Sequence, residues 1–73
     1  MQTETMGSEK YIHMPKLKRV RQLKGYSLHE LADKSGIDSS MISKLENQRR
    51  GAQPRTLRKL ADALGVQPDE LVG

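Results

Sequence analysis

The residues of this chain best suited to chemistry are cations, and they stand in two blocks. Lys10, Lys16, Lys18, Arg19, Arg21 and Lys24 precede His29 with no acid among them. Arg49, Arg50, Arg55, Arg58 and Lys59 lie between Asn47 and Ala61, again without an acid. The ends are acidic, with Glu4 and Glu9 at one and Asp62, Asp69 and Glu70 at the other, and the formal net charge is +4. Two cationic blocks around a nearly neutral middle fit a polyanion gripped at two places, and equally two solvated helix faces. Catalysis has little to work with. His13 and His29 lie in different segments, with no second histidine at helical ligand spacing and no glycine-rich phosphate loop. There is no cysteine, which excludes disulfides and thiolate metal sites. No enzyme, no metal, no cofactor and no small-molecule ligand is therefore expected. Stacking on single strands or RNA needs aromatics, and Tyr11 and Tyr26 are the only two.

Such groups must be positioned by short helices around one small core, which is all that 73 residues allow. With 34% hydrophobic residues and neither Phe nor Trp, that core is aliphatic. Residues 1–13 read as a flexible polar arm, and 14–73 as the folded domain. After Pro15, Leu17, Val20 and Lys24 recur at three and four, with Leu23 alongside, and Gly25 closes this first helix. Ser27-Leu-His-Glu30 has the form of a capping box. It opens a second helix that buries Leu31 and Ala32 and ends at Gly36, with Tyr26 packing beside Leu23 at the preceding corner and His29 exposed. Asp38 caps a third helix with Ile42 and Leu45 inward and Ser39, Ser40, Ser43, Lys44 and Asn47 outward. Only Gly36 to Asp38 separate the two, a sharp corner of helix-turn-helix geometry. After a basic loop, Pro54 opens a fourth helix with Leu57, Leu60, Ala61 and Leu64 on one face, stopped at Gly65. A last turn, Asp69 to Val72, can pin Leu71 onto the core. The expected fold class is all-α, four helices and a short fifth. No apolar run reaches the length of a membrane span and no signal peptide precedes the domain, so a cytoplasmic protein is expected.

The stretch from Ser27 to Asn47, with its Ser27-Leu-His-Glu-Leu-Ala32 opening, Gly36-Ile-Asp38 corner and Met41-Ile-Ser-Lys-Leu-Glu46 helix, resembles the helix-turn-helix of phage repressor and Cro proteins, the xenobiotic-response-element type. The likeness runs from about Leu17 to Leu71 and includes Leu57-Arg-Lys-Leu-Ala-Asp-Ala-Leu-Gly-Val66. The resemblance implies a sequence-specific regulator of transcription, a repressor, that binds double-stranded DNA with its third helix in the major groove. By position, Ser39, Ser40, Ser43 and Lys44 would read base edges, Lys44 reaching guanine O6 and N7. Met41 would touch a thymine methyl or else pack under the helix. Asn47, Arg49 and Arg50 fall where related proteins grip phosphates, and Arg55 where they approach the backbone or minor groove. Leu28 and Arg55 also mark helix starts whose free amides suit phosphate. Arg58 and Lys59 read as helix-surface solubility. Arg21 and Glu46 match a partly buried ion pair of structural role.

The pattern is departed from twice. Leu28 stands where a glutamine commonly binds phosphate and braces a reader, and Gln48 where a glycine commonly ends the third helix. The resemblance further implies a homodimer on a two-fold operator, its reading helices roughly 34 Å apart, with the fifth helix, Leu71 and Val72 as the dimer surface and Leu28 meeting a neighbouring subunit. The rival reading is the same fold used as a protein-interaction module, an antitoxin or coactivator-like bridge. Apolar exposure at Leu23, Leu28 and Val72 would favour it.

Overall fold

In the computed structural model, which describes residues 11–73, five helices follow one another: α1 (Leu17–Leu23), α2 (Leu28–Ser35), α3 (Ser39–Glu46), α4 (Pro54–Leu64) and α5 (Asp69–Val72). The fold is all-α. Among the described residues the one extended pairing is an isolated antiparallel bridge between Ile12 and Ala52. No described helix is long and apolar enough to cross a membrane.

Local sequence explains where the helices start and stop. The Ser27 hydroxyl accepts from the Glu30 amide at 3.1 Å, and the Glu30 carboxylate accepts from the Ser27 amide at 2.7 Å, so both halves of the capping box are formed. Gly36 ends α2 with φ +75°, a left-handed corner that lets α3 turn back across α2. The Asp38 carboxylate accepts from the Ser40 amide and opens α3.

The far end of α3 is less ordinary. The Gln48 amide donates to the Leu45 carbonyl at 3.3 Å and the Arg49 amide to the Lys44 carbonyl at 3.0 Å, which together make a Schellman closure. The residue at its left-handed position is Gln48, with φ +60°, among the described residues the one non-glycine with positive φ. The helix therefore ends as a glycine would end it, without the glycine.

Packing is carried by aliphatic side chains and one methionine. Met14, Leu17, Leu31, Ile42, Leu45, Leu60 and Leu71 are fully buried, and Ala52, Leu57, Ala61 and Leu64 complete the core. Each large apolar side chain so buried contributes about 1.5–3 kcal/mol. α2 packs on α3 and α4, while α1 packs on α3 and α5. The Lys16 amide donates to the Leu71 carbonyl at 3.0 Å, tying the start of α1 to α5.

Two expectations change. Residues 1–10 of the expected arm lie outside the described part, but Ile12, within the expected arm, is paired with Ala52, so the folded part begins ahead of residue 14. A single backbone pair leaves no periodicity to read. Leu71 cannot serve a dimer surface in this fold, because its side chain is already spent on the core. Leu23 is 74% exposed, while the half-buried Tyr26 ring packs on the core with the Lys34 ammonium 5.4 Å from its centroid.

Gln48→Gly should raise stability. A left-handed residue with a Cβ loses roughly 1–2 kcal/mol, and the greater unfolded-state freedom of glycine returns roughly half of that. A net gain of about 0.5–1 kcal/mol should appear as a melting temperature higher by about 2–8 °C for a domain of this size. A lower melting temperature would mean that the Gln48 side chain makes a contact worth more than the backbone strain.

Candidate nucleic-acid interface

The bearing of α3 on the rest of the molecule is set by one guanidinium. Arg21, near the end of α1, donates through Nε to Glu46 Oε2 at 2.6 Å and through Nη2 to Glu46 Oε1 at 3.1 Å. Its Nη1 donates to the Tyr26 carbonyl at 2.9 Å. One side chain thus joins α1, the turn before α2 and the last residue of α3. The pair is well covered, with 11% and 6% of the two side chains exposed. The hydrogen bond to Glu46 holds the Arg21 pKa above its ordinary value against the opposing effect of burial. A forked, charge-assisted contact of this kind has a preferred plane and direction, which apolar packing lacks.

The outward face of α3 gathers most of the expected readers. Ser40, Ser43, Lys44 and Asn47 line one shallow depression, and Arg49 joins them from the loop. A helix advances roughly 100° per residue, so Ser40, Ser43, Lys44 and Asn47 fall within about one third of its circumference. Ser39 is half-buried at the edge of that arc and lines a different depression, between α2 and α3, with His29, Asp33 and Asp38. Met41 is half-buried against the core, which is the packing alternative of its two readings.

The start of α3 restricts what Ser40 can offer. Its hydroxyl donates to the Asp38 carboxylate, which also accepts from the Ser40 amide at 3.0 Å. These two bonds, the hydroxyl first, lower the Asp38 pKa. With its proton committed to Asp38, the Ser40 oxygen is left as an acceptor. That constraint was not read from the sequence, although the Asp38-Ser39-Ser40 spacing is the signal that could have suggested it.

Of the expected phosphate-gripping cations, Arg49 joins this depression. Arg49, Arg50 and Arg55 are exposed. The two helix starts differ as anchors. Ser27 and Glu30 close the start of α2, and the Leu28 side chain is half-buried against the core, so Leu28 offers its amide alone. At α4, Gln53 makes no side-chain cap and Pro54 has no amide, which leaves the first-turn amides beside the exposed Arg55 without a cap. Arg58 and Lys59 are exposed on α4, where Lys59 lines a separate depression with Lys34, Ser35, Asp62 and Ala63. Among the described residues no group of His, Asp and Glu is placed to hold a metal ion.

Residues 17–71 match the model of the family described as helix-turn-helix. Among curated proteins, the chain is 40% identical over 57 residues to RghRB of Bacillus subtilis, named an HTH-type transcriptional regulator, a match covering 77% of this chain and 41% of that one. It is 35% identical over 57 residues to RghR of the same organism, named an HTH-type transcriptional repressor, covering 77% and 42%. It is 43% identical over 54 residues to y4dJ of Sinorhizobium fredii, an HTH-type transcriptional regulator, covering 74% and 70%. The matched part spans about two fifths of the two Bacillus relatives. Among solved structures, the restriction-modification controller protein C.AhdI of Aeromonas hydrophila superposes with a TM-score of 0.74 at 38% identity, covering 77% of this chain and 85% of that one.

The Arg21–Glu46 pair should show the asymmetry of a covered ion pair. Glu46→Ala strands a guanidinium and should destabilise by about 3 kcal/mol, whereas Arg21→Met with Glu46→Leu should lose less than that single change. Urea melts of the single and double variants measure this, and a double variant less stable than either single one would contradict it. The Asp38 cap carries a pH signature. Its folded pKa lies below the unfolded value of about 3.9, so its contribution is complete above that pH and is lost as pH falls through the folded pKa. The melting temperatures of the parent chain and Asp38→Ala should thus differ at neutral pH and converge in acid; a constant gap would remove the carboxylate from the cap.

Proposed function

The chain belongs to the phage repressor and Cro type of helix-turn-helix family, whose members are DNA-binding regulators of transcription, and we propose that it binds double-stranded DNA sequence-specifically as a repressor. The observation that carries this reading is the single depression on the exposed face of α3, where Ser40, Ser43, Lys44, Asn47 and Arg49 meet. With α3 in the major groove, the Lys44 ammonium donates to guanine O6 and N7, and the Ser40 oxygen accepts from the amino group of cytosine or adenine. Ser43 serves either role, and Ser39, at the edge of the face, reads least. Asn47, Arg49 and Arg50 take phosphates on one side, and Arg55 with the open amides of α4 takes them on the other. The Leu28 amide is a lesser anchor.

Two copies on a two-fold operator would set their α3 helices roughly 34 Å apart. With Leu71 withdrawn into the core, the exposed Asp69 and Glu70 and the half-buried Val72 are the parts of the expected dimer surface left at the exterior. Repression by this unit then follows from occupancy of the operator. The interaction-module reading draws on one observation, the exposure of Leu23, with Tyr11 the other exposed large apolar side chain among the described residues. Two isolated side chains fall far short of the apolar patch of several hundred Å² that marks a protein-binding surface, so DNA is the better supported partner.

Selection of duplexes from a random pool, followed by titration at several salt concentrations, tests this. The logarithm of the binding constant should fall with the logarithm of salt by about 0.9 for each phosphate contacted. Arg49→Ala should weaken all duplexes alike and lower that slope by about 1, whereas Lys44→Ala should leave the slope nearly unchanged and relax preference at one base pair by about 1–3 kcal/mol. Failure of micromolar protein to bind any duplex at low salt would end the DNA reading.

A further inference from the structure

The segment ahead of α1 has no part in the major-groove reading, yet it is fixed at three places. The Ile12 amide donates to the Ala52 carbonyl at 2.7 Å, and the Ala52 amide donates back to the Ile12 carbonyl at 2.9 Å. Two residues on, Met14 is fully buried in the core. Two more, and the Lys16 amide is bonded to the Leu71 carbonyl. The crossing is close because of Gly51. A Cβ there would lie 3.0 Å from the Ile12 nitrogen and 3.1 Å from the carbonyl carbons of Ile12 and Tyr11. Those are backbone atoms, which cannot swing aside as a side chain could.

What this segment holds is the loop that carries Arg49 and Arg50. The front of the loop is closed by the bond from the Arg49 amide to the Lys44 carbonyl, and its back is closed by the Ile12–Ala52 pair. Only Arg50 and Gly51 lie between the two closures. The contact buries little large apolar surface, since Ile12 is half-buried, Tyr11 is 47% exposed and Ala52 is small. Its main product is a fixed backbone direction, which lowers the ordering cost that an arginine loop would otherwise meet on binding a polyanion.

We propose that residues 11–14 are a strap that positions the Arg49–Arg50 loop for phosphate contact, with Ile12 and Gly51 as its positioning residues. This rests on the DNA-binding reading above. The strap acts through the two arginines, so its effect on binding must disappear when they are absent.

The test is a double-mutant cycle on the full chain, with a labelled random-sequence duplex at low salt as probe. Ile12→Pro removes the amide that donates to Ala52, and Gly51→Ala inserts the Cβ that the crossing excludes. Each should weaken binding several-fold in the parent chain and lower the salt slope by about 0.9, the equivalent of one phosphate contact. Each should change binding little in the Arg49→Ala, Arg50→Ala background. A merely structural segment would give the same fold-loss in both backgrounds, and that result overturns the strap. Should either variant fail to fold, amide hydrogen exchange on the parent chain decides. Linkage requires that duplex binding slow exchange at Ala52 if the pair favours the binding conformation. Unchanged exchange at Ala52 with slowed exchange along α3 would overturn the proposal. A parent chain that does not bind the duplex at all sinks the DNA reading and the strap with it, whereas a binding parent with additive losses sinks the strap alone.

Discussion

The Arg21 fork is the constraint on which the rest of the molecule turns. The core around it is aliphatic, and apolar burial is indifferent to direction. Leucines and isoleucines on α1, α2 and α3 would tolerate modest rotations of one helix against another with little loss of buried area. The guanidinium does not. Its three bonds to Glu46 and the Tyr26 carbonyl fix the end of α3 against α1 and the turn into α2 in a single plane. A reading face is useful only if its side chains arrive at set positions over a groove, and this covered pair supplies the angular restraint that packing leaves open. It contributes chiefly orientation, since the attraction of a covered pair is largely offset by the loss of hydration.

The same logic continues outward along the chain from α3. Asp38 fixes its first turn, the Schellman closure at Gln48 fixes its last, and the Ile12–Ala52 pair fixes the loop beyond. Each of these anchors involves backbone groups, and the spacing between them leaves few free residues. The arrangement has electrostatic consequences. Asp38 places a carboxylate at the start of α3, favourable to the helix dipole but adverse to an approaching phosphate. The cations that offset it, Lys44, Arg49 and Arg50, come from the helix's later turns and the loop. Held strain at Gln48 fits that picture: the closure redirects the chain so that Arg49 joins the depression lined by Lys44 and Asn47.

Much of this was legible in the sequence, for a physical reason. Caps, glycine stops and three-to-four spacing are local signals, and the local signals here agree with one another, so all five helices and the corner at Gly36 could be placed. The Arg21–Glu46 contact spans 25 residues and came only through family resemblance, because nothing local ties the two positions together. What stayed hidden was non-local and backbone-borne. The Ile12–Ala52 pair has no pattern of side chains to announce it, and nothing around Gly51 marks it as the place where the Tyr11–Ile12 backbone passes close by. Leu71 fits both a core pin and, with Val72, a dimer surface in the sequence; adjacent positions on a helix point about 100° apart, and the fold takes the first for Leu71.

The composition of the reading face also bears on how binding energy is divided. α3 offers a single long donor, Lys44, beside serines, one of which already donates its hydroxyl hydrogen bond to Asp38. Short hydroxyls discriminate weakly between bases, and the position where related proteins brace a reader with glutamine holds Leu28, turned partly into the core. The cations, by contrast, are numerous: Arg49 joins Lys44 at the depression, and Arg50 and Arg55 are exposed beyond it. On the proposed DNA reading, such an interface would draw its affinity chiefly from phosphates and a minor share from base edges, so one copy alone would distinguish sites poorly. Selectivity must then come from geometry: from the fixed angle of α3, from the fixed loop beside it, and from the spacing that a second copy would impose. Rigid anchoring of a sparse reading face follows directly from that division, because a face with few specific contacts loses its selectivity as soon as its orientation is free to vary.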